Sequence, residues 1–321
     1  MKTPASVPGA RILALGEHRP ATVVTNHDLA ARMDTSDEWI RSRVGIASRR
    51  FAGPNESVVD MAVAAGGKAL AASGLSAADV DLVLVATCTM PSPMPTAAPQ
   101  VASRLGIRAP GAYDVNAACA GFCYGLSAAA SAVTTGAARN VLLVGAEKLT
   151  DWVDPTDRST AIIFADGAGA VVVGPAATPE EVGIGPVAWG SAGDRMDTIH
   201  IKDRRSFLWQ EGQAVFRWAT TALAPVALEA CERAGIAPGE LAAFVPHQAN
   251  LRIIQAIART LGAPDALVAT DIVDAGNTSS ASIPLALARM AQRGDLPSGA
   301  PVLLLGFGAG LTYAGQVVLT P

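Results

Sequence analysis

The chain reads as an α/β protein built from two similar halves. Apolar strands alternate with amphipathic helical stretches along most of its length, and one helix–turn–strand unit occurs twice in nearly the same form. Half of the 321 residues are hydrophobic and 16% are charged, which is enough apolar material to cover a sheet on both faces.

The first copy of the unit begins with an amphipathic helix, Ser57 to Ser73. It turns through Gly74 to Asp79 and enters the apolar run Val80 to Ala86. Tyr113 to Asn116 then reads as a short strand feeding a helix from Cys119 to Val133, and Val141 to Gly145 as another strand. A further apolar run, Ala170 to Val173, is followed by the Pro- and Thr-containing Gly174 to Pro179, which places a boundary near residue 177. The expected halves are therefore 1–176 and 177–321. In the second, the helix Gln213 to Ala234 turns through Gly235 to Glu240 into the strand Leu241 to Pro246. Val273 to Asn277 is predicted as a strand feeding the helix Ser280 to Gln292, with Pro301 to Gly306 as the next strand. The segment Gly190 to Gln210 carries many charges and no period, so it reads as a surface excursion or lid.

Composition excludes several classes. A net charge of −4 offers no general footprint for a polyanion, so nucleic acid is not an expected partner. Met1 to Pro20 lacks a charged segment followed by an apolar stretch, unlike a secretory signal. Asp166 interrupts the longest apolar run well short of the ~18 residues of a membrane span. The expected location is cytoplasmic, with no membrane partner. The four cysteines, Cys88, Cys119, Cys123 and Cys231, form neither a disulfide framework nor a zinc-ligand spacing, so no metal is expected. They are core residues or a nucleophile.

Cys119 follows Asp114-Val115-Asn116-Ala117-Ala118, where a strand ends, small residues permit a tight turn and a helix begins. Unpaired N–H groups at a helix start favour thiolate over thiol. The residues alone leave open whether Cys119 is a nucleophile or a buried core cysteine. Cys88, Cys123 and Cys231 default to packing. His247, in Val245-Pro246-His247-Gln248, directly follows a buried strand, the place where α/β proteins gather active-site groups. It reads equally well as a structural histidine. Asn277, in Gly276-Asn277-Thr278-Ser279-Ser280, lies at a turn expected to mirror that of Cys119; locally it is also an ordinary cap or turn asparagine. Gly306-Phe307-Gly308-Ala309-Gly310 is a glycine-rich turn whose backbone N–H groups could face an oxyanion. No helix and no ribose-binding acid follow it, so it is not a dinucleotide fingerprint.

Taken together with Asp34-Thr35-Ser36-Asp37-Glu38-Trp39-Ile40, Phe164-Ala165-Asp166-Gly167-Ala168-Gly169 and Val245 to Ile253, these motifs run in order along the whole chain. The chain resembles the β-ketoacyl-acyl-carrier-protein synthase III family, within the thiolase-like condensing enzymes. The resemblance implies a duplicated αβαβα architecture with two five-stranded halves about a pseudo-twofold axis, and a homodimer. It implies decarboxylative condensation of an acyl-CoA starter, carried on Cys119, with malonyl-acyl-carrier protein, in fatty-acid initiation or polyketide priming. The coenzyme A thioester is a substrate, and no cofactor is implied.

The resemblance gives His247 and Asn277 the enolate of the malonyl thioester, and the backbone amides of Cys119 and Ala309 the tetrahedral oxyanions. It places coenzyme A against Thr35, Trp39, Arg43 and Arg158, and carrier-protein docking at Arg217, Arg252 and Arg259. Residue types agree: aromatic and guanidinium groups stack on a base, and guanidinium pairs with phosphate. Met94 stands where the family often has an aromatic that closes the acyl pocket across the dimer, and 190–210 looks shorter than usual. The alternative reading is a related acyltransferase that moves the acyl group to an alcohol or amine without condensation. Asn277 argues against it, since such enzymes often lack that residue.

Overall fold

In the computed structural model, which describes residues 9–321, the repeated sequence pattern becomes a repeated sheet. Strands β1 (Ala10–His18), β2 (Leu82–Ala86), β3 (Gly111–Val115), β4 (Val141–Lys148) and β5 (Asp166–Pro175) lie in the order β3-β2-β4-β5-β1. Strands β6 (Ala188–Ser191), β7 (Ala243–Pro246), β8 (Leu267–Val268), β9 (Pro301–Gly308) and β10 (Thr312–Leu319) lie in the order β8-β7-β9-β10-β6. The two orders are the same, element for element. In each sheet the first three strands are parallel and the last two join antiparallel.

The near-continuous apolar runs follow from burial on both faces. Successive residues of a strand point to opposite sides. In β4, Val141 and Leu143 face one core while Leu142 and Val144 face another. In β9, Val302 and Leu304 join the first of these cores, and Leu303 and Leu305 face away from it. That shared core holds helices α4 (Gly121–Thr134) and α7 (Ser282–Gln292) between the sheets. Outside the first sheet pack α2 (Val58–Ser73) and α3 (Ala97–Arg104); outside the second pack α5 (Gly212–Ala234) and α6 (Leu251–Leu261). A short helix, α1 (Asp37–Val44), begins at Ser36, whose side chain accepts from the Trp39 N–H. The layers are αβαβα. A Cβ on Gly169 would fall 2.7 Å from Pro284 Cβ, so glycine is what lets α7 lie directly on β5.

Three expectations need correction. Val273 to Asn277 is not a strand: Ile272–Ala275 forms one turn of helix, and the strand beside β7 is Leu267–Val268. Ile272 is buried with Ile40, Val44 and Ile46 in a cluster away from the sheets, with Val273 packed against it. Their apolar character therefore reports burial without strand pairing. Gly306, Phe307 and Gly308 belong to β9, and the turn is Ala309–Leu311. The segment 190–210 starts inside the second sheet, and His200, Arg204, Leu208 and Gln210 line a cavity, so it is not simply a surface excursion. Among the described residues no helix is long and apolar enough to cross a membrane.

Candidate active site

The same backbone device presents Cys119 and Asn277. After β3, Asn116 Oδ1 accepts the Ala118 N–H at 3.2 Å, and Ala118 adopts φ +46°. A 3-10 turn, Ala118–Ala120, carries Cys119 into α4. In the second half, Asn277 Oδ1 accepts the Ser279 N–H at 2.9 Å, Ser279 adopts φ +49°, and a 3-10 turn, Ser279–Ala281, enters α7. Asn116 thus stands opposite Asn277, and Cys119 opposite Ser280. Left-handed backbone at a non-glycine residue is costly and clusters at functional turns.

Both turns reach one cavity of about 770 Å3, whose walls include Cys119, His247, Asn277 and Ala309. Its apolar lining includes Phe164, Leu208, Phe216 and Phe307. β9 brings the last wall against the cysteine: a Cβ on Gly308 would lie 2.7 Å from Cys119 N. Burial pushes the Cys119 thiol up to about 12, with the neighbouring Ser279 lowering it and the nearby Glu147 charge raising it further. This direction runs against the expectation of a resting thiolate, because removing the anion from water raises a thiol's pKa.

His247 follows β7, its N–H donating to Leu305 O at 2.8 Å, and its ring is 2% exposed. The ring meets Phe307 edge-on, with centroids 5.1 Å apart. Nδ1 lies 2.7 Å from Ser282 Oγ, which also accepts the Gln248 N–H at 3.3 Å. A Ser282 hydroxyl that donates to Nδ1 puts the ring proton on Nε2, facing the cavity side of the ring. Burial lowers the His247 pKa to about 3, so the ring is neutral. Asn277 is equally constrained. Its N–H donates to Ile163 O and its C=O accepts from Ala165 N, both at 2.9 Å. With Oδ1 engaged by Ser279, the Nδ2 amide is left as the donor.

At the entrance, α1 carries Trp39 and Arg43. The Arg158 guanidinium lies 4.6 Å and that of Arg43 5.6 Å from the Trp39 ring centroid. Arg158 also donates to Asp34 O at 2.6 Å. Nearby in sequence, Thr35 Oγ1 is buried without a hydrogen-bond partner. Arg217 and Arg252 line the cavity, Arg252 lying 5.2 Å over Phe216, while Arg259 sits two turns further along α6, outside it. Met94 is 79% exposed and does not line its own chain's cavity.

Residues that sequence reasoning missed are Asn116, Trp152, Ser282 and, above all, Cys88, which was assigned to the core and lines the cavity instead. The signal that selected His247, a position just past a buried parallel strand, applies equally to Thr87 and Cys88 after β2. Cys123 and Cys231 are buried, as expected.

Two family models match: 3-oxoacyl-[acyl-carrier-protein (ACP)] synthase III over residues 113–193, and its C-terminal part over residues 231–320. Beta-ketoacyl-[acyl-carrier-protein] synthase III 4 of Streptomyces coelicolor is 54% identical over 98% of this chain and 99% of that protein. The chain belongs to the β-ketoacyl-acyl-carrier-protein synthase III family. Among solved structures, the priming beta-ketosynthase of the R1128 polyketide biosynthetic pathway superposes with a TM-score of 0.96 at 44% identity, covering 100% of this chain and 98% of that one. The 3-oxoacyl-[acyl-carrier-protein] synthase III of Aquifex aeolicus gives 0.93 at 38% identity, covering 97% and 100%. Synthase III enzymes are condensing acyltransferases, so the protein is an enzyme of this type.

Proposed function

We propose that the protein condenses an acyl-CoA starter with malonyl-acyl-carrier protein through acyl-Cys119. The observation that carries this is the pair of neutral donors, His247 Nε2–H and Asn277 Nδ2–H, on the same cavity as the cysteine. The starter's adenine stacks at Trp39 with Arg158 and Arg43 takes the phosphate end, with Thr35 assigned to the same site by the family resemblance. Cys119 sulfur attacks the thioester carbonyl, whose oxyanion is held by the Cys119 and Ala309 N–H groups. Coenzyme A leaves with the thiol proton. Loss of carbon dioxide from the malonyl group then puts negative charge on its thioester oxygen, where the two neutral donors stabilise it without competing charge. The enolate carbon attacks acyl-Cys119, the tetrahedral intermediate collapses, and the departing cysteine sulfur takes up a proton to regenerate the resting thiol.

Arg217, Arg252 and Arg259 form the docking face for the acidic carrier protein; the first two lie at the cavity and none is ion-paired among the described residues. A cytoplasmic homodimer fits the edge strand β3, where Tyr113 is 46% exposed, and the exposed Met94, which then closes the acyl pocket of the partner. The two halves divide at 176/177, between β5 and β6. Intact-protein mass spectrometry tests the reading. An acyl adduct on Cys119 that malonyl-carrier protein discharges as a β-ketoacyl product supports condensation. An adduct discharged by an alcohol or amine, and not by malonyl-carrier protein, overturns it.

A further inference from the structure

The duplication places a second set of strand ends opposite the catalytic one, and this set gathers around a buried carboxylate. Glu147 and Phe307 are the seventh residues of the equivalent eight-residue strands β4 and β9. Thr87 follows β2 as His247 follows β7, and Ser280 stands opposite Cys119. Where the catalytic set opens on the cavity, its counterpart closes on a carboxylate that is 0% exposed. Glu147 accepts from Thr89 Oγ1 at 2.6 Å, Ser279 Oγ at 3.0 Å, Cys88 N at 3.1 Å and Thr87 Oγ1 at 3.2 Å, and Ser280 Oγ lies 2.8 Å away.

These contacts come from both halves. Thr87, Cys88 and Thr89 follow β2, whereas Ser279 and Ser280 belong to the turn that presents Asn277. We infer that Glu147 is a positioning residue for Asn277, clamping its turn to the end of the first sheet. Ser279 is the link. Its hydroxyl is held by Glu147, while its N–H holds Asn277 Oδ1 and thereby aims the amide nitrogen. A buried carboxylate costs several kcal/mol unless donors surround it, so a structure that needed only packing here would be better served by an apolar side chain. Burial raises the Glu147 pKa while the surrounding donors lower it.

The inference rests on the reading of Asn277 as an enolate donor, and the test separates the two. Acyl loading of Cys119 and decarboxylation of malonyl-carrier protein are measured on the full chain for Glu147→Ala, Glu147→Gln, Asn277→Ala and the Glu147→Ala/Asn277→Ala double variant. Glu147→Ala is expected to slow decarboxylation about 30- to 100-fold, the scale of a small misplacement, with loading not slowed, since the charge that raises the Cys119 pKa is removed. The isosteric Glu147→Gln, which preserves the volume of the site, is expected to lose about tenfold. In the Asn277→Ala background the Glu147 effect should shrink to less than about twofold, because the group it positions is gone. Equal losses in both half-reactions, or full additivity in the double variant, would overturn the positioning role. Undiminished decarboxylation by Asn277→Ala alone would overturn the reading of Asn277 and this inference with it.

Discussion

Ser282 Oγ lies 2.7 Å from Nδ1 of His247 and accepts the Gln248 N–H at 3.3 Å, so the serine holds both the ring and the backbone beside it. Ser282→Ala removes the group that fixes the tautomer. Decarboxylation of malonyl-carrier protein should fall about five- to tenfold, the worth of one hydrogen bond, with acyl loading little changed. Nitrogen-15 NMR of the histidine ring should show a proton on Nε2 in the parent and a tautomer mixture in the variant. A parent ring protonated on Nδ1 would contradict the assignment.

Cys119 begins as a thiol, its pKa pushed up to about 12 by burial. Alkylation of this residue by iodoacetamide, followed by peptide mass spectrometry, should therefore rise about tenfold per pH unit between pH 7 and 10 without a plateau. A plateau near pH 7 would mean that the helix start outweighs desolvation.

His247 has the opposite displacement, from 6.5 to about 3, with burial as its cause. Below pH 6.5 the unfolded chain binds a proton there that the folded chain refuses. Stability is thus fully present above 6.5 and falls as pH drops toward 3, by up to about 1.4 kcal/mol per unit. Urea unfolding at pH 7 and pH 4.5 should show a smaller loss for His247→Gln than for the parent. Equal losses would place the acid sensitivity elsewhere.

Trp39, half-buried, and the exposed Arg158 meet at 4.6 Å, and neither lines the cavity that holds Cys119. Trp39→Ala should raise KM for acyl-CoA about tenfold through the loss of base stacking, while kcat changes little. With an acyl-N-acetylcysteamine thioester, which has no adenine, parent and variant should behave alike. A defect with both substrates would move Trp39 from recognition to structure.

Much of the site was legible because its chemistry is written locally. Cys119, His247 and Asn277 each sit where a regular segment stops and a turn begins, and the repeat marks two of these turns as equivalents. The thiol's protonation was not legible, since a helix start is visible in sequence and the dryness of a cavity is not. Nor was Cys88, whose neighbours in space, Glu147 and Ser279, come from two distant segments.

The sequence by itself determined the duplication, the alternation of strand and helix, and the residue types available for acyl transfer, because period and turn chemistry depend on near neighbours. Tertiary structure alone decided which strand ends carry the candidate catalytic side chains and which gather around the buried carboxylate. That choice rests on contacts between halves: Phe307 against His247 on one side, and Glu147 among Thr87, Ser279 and Ser280 on the other. Side chains that meet only across the shared core leave no mark in the order of residues along the chain.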